Sequence, residues 1–505
     1  MQSLSRVFWK RATVAVAALL SLATAAQAEV KLPNIFTDHM VLQQGQKNKV
    51  WGKAAPDEEV TVSIGGQTHK AKGAADGSWS VFLEPLPVGG PHQLKVNNLV
   101  IDDVLVGEVW VCSGQSNMQW SINASNDPDL ERLAAKFPKI RMINFPQVGT
   151  QEPIWSHDRK WEVCAPDKIG NWSAVGFFFA RQLHLTLDVP VGMINNAWGG
   201  SACEAWIARD VLAKDEKYSP LMERWVGMEK VYNELLAKEK DLTEEQKKQL
   251  GGMRGNMGGN SRPGNIYNGV LKSHLGYGIK GAIWYQGESN AGRAYQYRDL
   301  FPLMIDSWRK EWAQGDFPFY WVQLADFKGE NPNQFDSDWA ELREAQTMTM
   351  SRLPNTGEAV IIDIGEGKDI HPKNKVDVGR RLARWALAKD YKVQIPHHSP
   401  QYKSMEKQGN KIVLTFDHLD GGWRPFDVNE PRGFIVCGPD KKWVPAKAAL
   451  VKDNKIEVQA DGVADPIAVR YGWADNPVVN LFNGAGLPLT PFRTDDFPGV
   501  TINNK

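Results

Sequence analysis

The sequence predicts an α/β protein whose central parallel sheet is covered by helices on both faces and flanked by β-rich regions at either end. Three observations predict it. Across the middle of the 505-residue chain, short and nearly continuous apolar runs alternate with helical stretches, the pattern of strands buried on two sides. Before about residue 102 and after about residue 396, short alternating segments are punctuated by Gly, Pro and Asp turns. Hydrophobic residues make up 42% and charged residues 23%, which excludes wholesale disorder and supplies a large core.

Residues 1–28 read as a targeting segment. Arg6, Lys10 and Arg11 form a basic start, Ala12 to Ala26 is almost free of polar residues, and Ala26-Gln27-Ala28 is a cleavage signal. The apolar run is too short to span a bilayer. Cleavage after Ala28 predicts a periplasmic or secreted protein with no membrane span. Lys+Arg and Asp+Glu both number 59, so the whole chain is neutral; without the leader it carries about −3. That balance removes the electrostatic case for a nucleic-acid or anionic-membrane binder. Export permits disulfides, but Cys112, Cys164, Cys203 and Cys437 allow three pairings or four free thiols.

Residues 29–102 read as an N-terminal β-sandwich domain. Val60 to Ile64 alternates, Gly65-Gly66 turns the chain into Thr68 to Lys72, and Trp79 to Leu83 follows the turn at Asp76-Gly77. Residues 103–395 form the α/β region. Its expected strands are Val104–Cys112, Val189–Ile194, Ile279–Tyr285, Pro318–Leu324 and Ala359–Ile364; its expected helices are Trp172–Leu187, Tyr295–Trp312 and Lys375–Lys389. Residues 209–262 interrupt the alternation with a charged helical piece, Glu229 to Leu250, and then a Gly-rich loop, Gly251 to Asn260. The loop matches no phosphate-binding spacing; it reads as a flexible connection, with a lid as the sharper alternative. Residues 396–505 read as a C-terminal β-domain.

The polar motifs fall at strand ends, where an open parallel sheet binds its ligands. The first strand runs into Ser113-Gly114-Gln115-Ser116-Asn117-Met118. Ser116 follows a Gly suited to a tight turn, and a Ser hydroxyl becomes a nucleophile once a base takes its proton. Met118 stands where the nucleophile elbow of the α/β-hydrolases has its second Gly, so the motif is not that elbow. The second strand ends Asn195-Asn196-Ala197-Trp198-Gly199-Gly200, whose paired glycines let backbone N–H groups approach a ligand oxygen. The third ends Tyr285-Gln286-Gly287-Glu288-Ser289-Asn290, an amide-bearing turn able to complete an oxyanion hole. Glu288 as a glycosidase-type acid lacks a partner carboxylate at a motif position. The last leads into Lys368-Asp369-Ile370-His371-Pro372, a base with an acid beside it. Ordinary turns and a satisfied histidine remain the bland alternatives for each block alone.

Together the four blocks resemble the SGNH hydrolase superfamily, and more narrowly its sialate O-acetylesterase-like branch of carbohydrate acetylesterases. Phe36-Thr37-Asp38-His39-Met40-Val41-Leu42-Gln43, Asn480-Leu481-Phe482-Asn483 and Pro491-Phe492-Arg493-Thr494 extend the likeness over nearly the whole mature chain. The resemblance implies a three-layer, flavodoxin-like catalytic domain and a metal-independent serine esterase without cofactor. It implies Ser116 as nucleophile, His371 as base, and the N–H groups of Ser116 and Gly200 with a third-block side chain as oxyanion hole. Gln115, Asn117, Glu288 and Asn290 are the implied substrate-binding residues. The superfamily's acid stands three residues before its His; here that position is Lys368 and Asp369 is only two before. Asp369 is the preferred acid, with Glu366 or a backbone carbonyl as alternatives. The superfamily's oxyanion Asn aligns with Ser289, so the amide falls to Gln286, preferred, or Asn290. The implied substrate is an O-acetylated glycan or sialic acid, with xylan or xyloglucan as the alternative. Arg254, Arg262 and Arg293 are the sequence-near cations for a sialate carboxylate. A non-catalytic glycan binder using some of the 20 Trp as platforms is the more distant reading.

Overall fold

A computed structural model describes residues 29–505. The expected leader, residues 1–28, lies outside the described residues. Seven strands build the centre: β1 (Leu99–Gly114), β2 (Ile140–Asn144), β3 (Trp161–Val163), β4 (Val191–Asn195), β5 (Gly281–Tyr285), β6 (Phe319–Val322) and β7 (Thr356–Ala359). Their order is β7-β6-β5-β1-β4-β2-β3, all parallel except β3. Six longer helices accompany them: α1 (Ala174–Leu187), α2 (Ser219–Ala237), α3 (Glu244–Met257), α4 (Ala294–Trp312), α5 (Asp338–Arg352) and α6 (Lys375–Lys389). The protein is thus mixed α/β around one large mixed sheet.

β1 shows why these segments become strands. Val109 and Val111 point into one core, with Trp284, Phe301 and Trp308; Trp110 and Cys112 point into the other, with Phe178, Phe179 and Trp385. Both faces are buried, so the run is apolar throughout rather than alternating. α4 and α5 contribute to the first core, α1 and α6 to the second. The chain leaves β1 towards β2 and β4 on one side and later towards β5, β6 and β7 on the other. Such a reversal opens a crevice at the carboxyl ends of the strands, beside β1.

β1 is 16 residues long, and its first half belongs to the N-terminal region. There it pairs antiparallel with Gly89–Val96 and parallel with Val41–Gln43. Its second half pairs with β4 and β5. The boundary expected after residue 102 falls inside this continuous strand. The Gly65-Gly66 hairpin forms as read, pairing Glu59–Ile64 with Gln67–Lys72. In the C-terminal region two four-stranded antiparallel sheets enclose a separate core containing Leu414, Val436, Ile456 and Tyr471. Buried Arg343 on α5 ties that region to the centre, donating to the carbonyls of Ala474 (2.7 Å) and Asp475 (2.8 Å).

Two expectations are corrected. The last parallel strand is Thr356–Ala359, not Ala359–Ile364; Val360 to Ile364 leave it in a turn that buries its apolar residues and exposes Asp363. An apolar run without period carries no register, and here Gly357 sets it: a Cβ there would lie 2.4 Å from the Trp385 ring. The Gly-rich stretch is helical to Met257, because Leu250 and Met257 are buried, Met257 against Leu221 and Trp225 of α2. Packing and the Thr243–Gln246 capping box outweigh the low helix propensity of Gly251, Gly252 and Gly255. All four cysteines are buried and unpaired. No helix among the described residues is long and apolar enough to cross a membrane.

Gly357→Ala tests the placement of β7. Trp385 is held by its indole N–H to the Glu358 carbonyl (2.9 Å) and cannot easily retreat, so overpacking should destabilise the protein by about 1–3 kcal/mol. A melting temperature equal to that of the parent would contradict this packing.

Candidate active site

The parallel register delivers the motifs to one edge: Asn195 of β4 lies level with Cys112 of β1, and Tyr285 of β5 with Gly114. Gly114 has φ +130°, and a Cβ there would sit 2.2 Å from the Tyr285 carbonyl oxygen. Only glycine lets β1 turn so tightly against β5. The turn starts a single helical turn, Ser116–Gln119, with Ser116 first.

His371 reaches the same point from the loop after β7. Its Nε2 is 2.9 Å from Ser116 Oγ, and its Nδ1 is 3.1 Å from Asp369 Oδ1. The same carboxylate oxygen accepts the His371 backbone N–H at 2.9 Å. That N–H, and then the imidazole, hold the Asp369 carboxyl below the usual carboxylate range. Glu366 is occupied otherwise, accepting the Lys373 backbone N–H (2.8 Å) and pairing with its ammonium. Trp120, one turn after Ser116, stacks on the imidazole with centroids 4.5 Å apart and planes 11° from parallel. Its indole N–H is anchored on the Ala124 carbonyl.

The second block packs directly on Ser116: a Cβ at Gly199 would stand 3.4 Å from Ser116 Cβ. The backbone N–H groups of Ser116 and Gly200 have no protein acceptor among the described residues. Gln286 is different. It is fully buried, and its amide donates to Ser201 O (3.1 Å) and Asn290 Oδ1 (2.7 Å). Both hydrogens are spent, which corrects the expectation that it offers a donor to the crevice. The Asn290 amide donates to buried Glu204 at 3.0 Å. Gln115 Oε1 accepts the N–H groups of Gly287 (3.3 Å) and Ser289 (3.4 Å), joining the first and third blocks.

Asn117 and Glu288 also face inward. Asn117 donates to Glu288 Oε1 (2.7 Å) and to the Ile370 carbonyl (3.0 Å), and accepts from the Lys375 ammonium (2.5 Å). These bonds tie the first block, the third block and the His loop together. Burial pushes the Lys375 amine down to about 7 and the Glu288 carboxyl up. Asn117, Glu288 and Asn290 therefore brace the site from behind.

Ser116 and His371 open onto a cleft of about 1210 Å³, also lined by Trp120, Phe145, Arg159 and Lys160. The sequence-near arginines do not line it: Arg254 pairs with Glu239, Arg262 with Glu229, and Arg293 with Glu204. Most large Trp side chains are core residues, including Trp110, Trp172, Trp206, Trp284 and Trp321. Sequence reasoning missed Trp120 and Lys375. Trp120 stands four residues after Ser116 on the same helical face, a readable signal; Lys375 opens α6 among exposed lysines and gave none.

A hydroxyl bonded to an imidazole that is itself bonded to a carboxylate, with free N–H groups alongside, is an arrangement able to carry out acyl transfer. The comparisons agree in class: the protein is a carboxylic ester hydrolase. A solved carbohydrate acetylesterase from Xanthomonas citri matches it with a TM-score of 0.80 at 36% identity, covering 93% of this chain and all of that one. The chain belongs to the carbohydrate acetylesterase family. Residues 257–388 match the family model described as carbohydrate esterase, sialic acid-specific acetylesterase. The sialate O-acetylesterase of Mus musculus is 28% identical over 88% of this chain and 90% of its own length. That of Homo sapiens is 27% identical over 94% of each.

Lys375 gives a test of the buried network. Its amine titrates lower in the folded than in the unfolded chain, so between about pH 7 and 10 the unfolded state binds more protons and stability rises with pH. From pH 7 to 9 the parent should gain about 2 kcal/mol relative to Lys375→Met. Parallel stability curves for the two proteins would refute the buried amine.

Proposed function

We propose that this protein is a sialate O-acetylesterase, removing O-acetyl groups from glycans by a serine mechanism. Ser116 is the nucleophile, His371 the general base and Asp369 the acid that orients it. The single observation that carries the reading is the 2.9 Å contact between Ser116 Oγ and His371 Nε2, made by residues 255 positions apart. The ionised Asp369 accepts a hydrogen bond from Nδ1–H, which fixes the tautomer and leaves Nε2 free to take the Ser116 proton.

His371 Nε2 takes the Ser116 proton as Oγ bonds to the acetyl carbonyl carbon, and the carbonyl π electrons move onto oxygen. The N–H groups of Ser116 and Gly200 receive that oxyanion. Collapse breaks the bond to the sugar oxygen, which leaves with the proton from His371. Water then attacks the acetyl-enzyme by the same route, releasing acetate and restoring Ser116. Gln286, Asn290, Asn117 and Glu288 hold the strand-end turns in place. Arg159 and Lys160 on the cleft wall support a substrate with a carboxylate, as sialic acids have. The size of the cleft favours a second reading: about 1210 Å³ exceeds the usual 300–1,000 Å³ of a small-molecule site and leaves room for an acetylated xylan or xyloglucan chain.

We further read the architecture as a three-layer SGNH domain of flavodoxin-like type at 103–395, with β-sandwich regions at 29–102 and 396–505. Burial of β1 on both faces supports the three layers. Export to the periplasm or medium, with cleavage after Ala28, rests on the leader sequence.

With a chromogenic acetate ester, Ser116→Ala and His371→Ala should each lower kcat by about 10⁴-fold or more, and Asp369→Asn by about 10²–10⁴-fold. Full turnover in Ser116→Ala would end the serine mechanism. Acetate release from an O-acetylated sialoglycan should exceed that from acetylated xylan, and the reverse order would move the assignment to plant polysaccharide.

A further inference from the structure

Gly199 and Gly200 carry four backbone polar groups, and three are tied down. The Gly199 N–H donates to Gln119 Oε1 at 2.8 Å. The Gly199 carbonyl accepts from Asn260 Nδ2 at 2.6 Å, and the Gly200 carbonyl from Ser289 Oγ at 3.0 Å. Among the described residues, only the Gly200 N–H of the four is left without a protein acceptor. It belongs to the same peptide unit as the Gly199 carbonyl. That unit is planar and trans, so its C=O and N–H point in opposite directions. Whatever fixes the carbonyl therefore aims the N–H.

Asn260 is well placed to do this. It lies just beyond α3, and its own carbonyl accepts the Ala202 N–H at 3.1 Å, which staples the insertion to the chain leaving the turn. Gly200 has φ +72°, and a Cβ there would meet Asn260 Nδ2 at 3.1 Å, so the amide lies against the turn. A two-glycine turn has little intrinsic preference between the two faces of its peptide. Without an external anchor the plane rotates at small cost, and a donor that must reorient during the reaction loses the benefit of preorganisation.

We propose that Asn260 is a positioning residue that holds the Gly199–Gly200 peptide so that the Gly200 N–H faces the oxyanion formed on Ser116. The proposal rests on the serine reading above. It gives the 209–262 insertion a part in the reaction without requiring it to move. It also gives a task to Ser289, which stands where the superfamily has its oxyanion Asn: its hydroxyl secures the next carbonyl of the same turn.

Asn260→Asp keeps the side-chain shape but puts an acceptor where the donor was; Asn260→Ala removes both. The full chain is assayed with a chromogenic acetate ester, and intact sites are counted by end-point labelling with a fluorophosphonate, so that turnover is expressed per folded site. An alkylboronic acid, which forms a tetrahedral adduct on a nucleophilic serine, reports transition-state complementarity. Each variant should lose about 10–100-fold in kcat per site, somewhat less than deletion of an oxyanion donor, with KM nearly unchanged. The boronate inhibition constant should rise by a similar factor. Parental kcat per site in Asn260→Asp, or a lowered kcat with an unmoved boronate constant, overturns the proposal. Ser116→Ala separates the two readings. Its inactivity beside a fully active Asn260→Asp defeats only the positioning role, while its continued turnover defeats the serine reading itself.

Discussion

The structure depends on the parallel register that sets β1 beside β4 and β5. Asn195 level with Cys112, and Tyr285 level with Gly114, place three turns at one edge of the sheet. Side chains in a parallel sheet alternate with period two, so a one-residue slip of β1 would carry Trp110 and Cys112 into the core now filled by Val109 and Val111. The bulk of Trp110, packed on Phe179 and Tyr320, makes that exchange costly. Core packing thus decides where the Ser116 hydroxyl stands, although Ser116 lies beyond the end of the strand.

Around Ser116 and His371, stiffness comes from polar side chains turned away from the cleft. Gln115, Asn117, Gln286 and Asn290 belong to the motifs, yet each spends hydrogen bonds on neighbouring turns rather than on the opening. Buried amides are useful here because an unmade bond in a dry setting is penalised, so the network settles in one arrangement. The imidazole is held in the same spirit, between the stacked Trp120 ring and the Asp369 carboxylate.

The sequence made much of this legible, and its failures have physical causes. α6 was readable in its bounds because small and apolar residues recur on one face: of the stripe Val376, Gly379, Ala383 and Ala386, the last three are buried. That Ser116 and His371 meet was readable because a Ser behind a Gly-ended strand and a His in the loop after another strand of the same sheet fall under one geometric rule. α5 was not read: its buried set includes Glu341, Arg343 and Gln346, so its hydrophobic period is broken by polar residues that find partners only in the folded protein. The end of α3 was masked by its glycines, since the contact of Met257 with Trp225 is visible only in three dimensions. Gln286 was misassigned for a related reason. Composition shows that an amide is present at a turn, but its direction is set by Asn290 of the same turn together with Tyr297 and Ser201 from outside it.

The 16-residue span of β1 has a consequence for how this molecule is assembled. One strand serves as a structural member of the N-terminal region and as the spine beneath Ser116, with no linker between the two duties. A hinge cannot operate there, and neither portion can be exchanged for a foreign module without cutting through a hydrogen-bonded ladder. The N-terminal region is consequently a foundation rather than an accessory: it and the turn that carries Ser116 should form as one cooperative unit and be lost together.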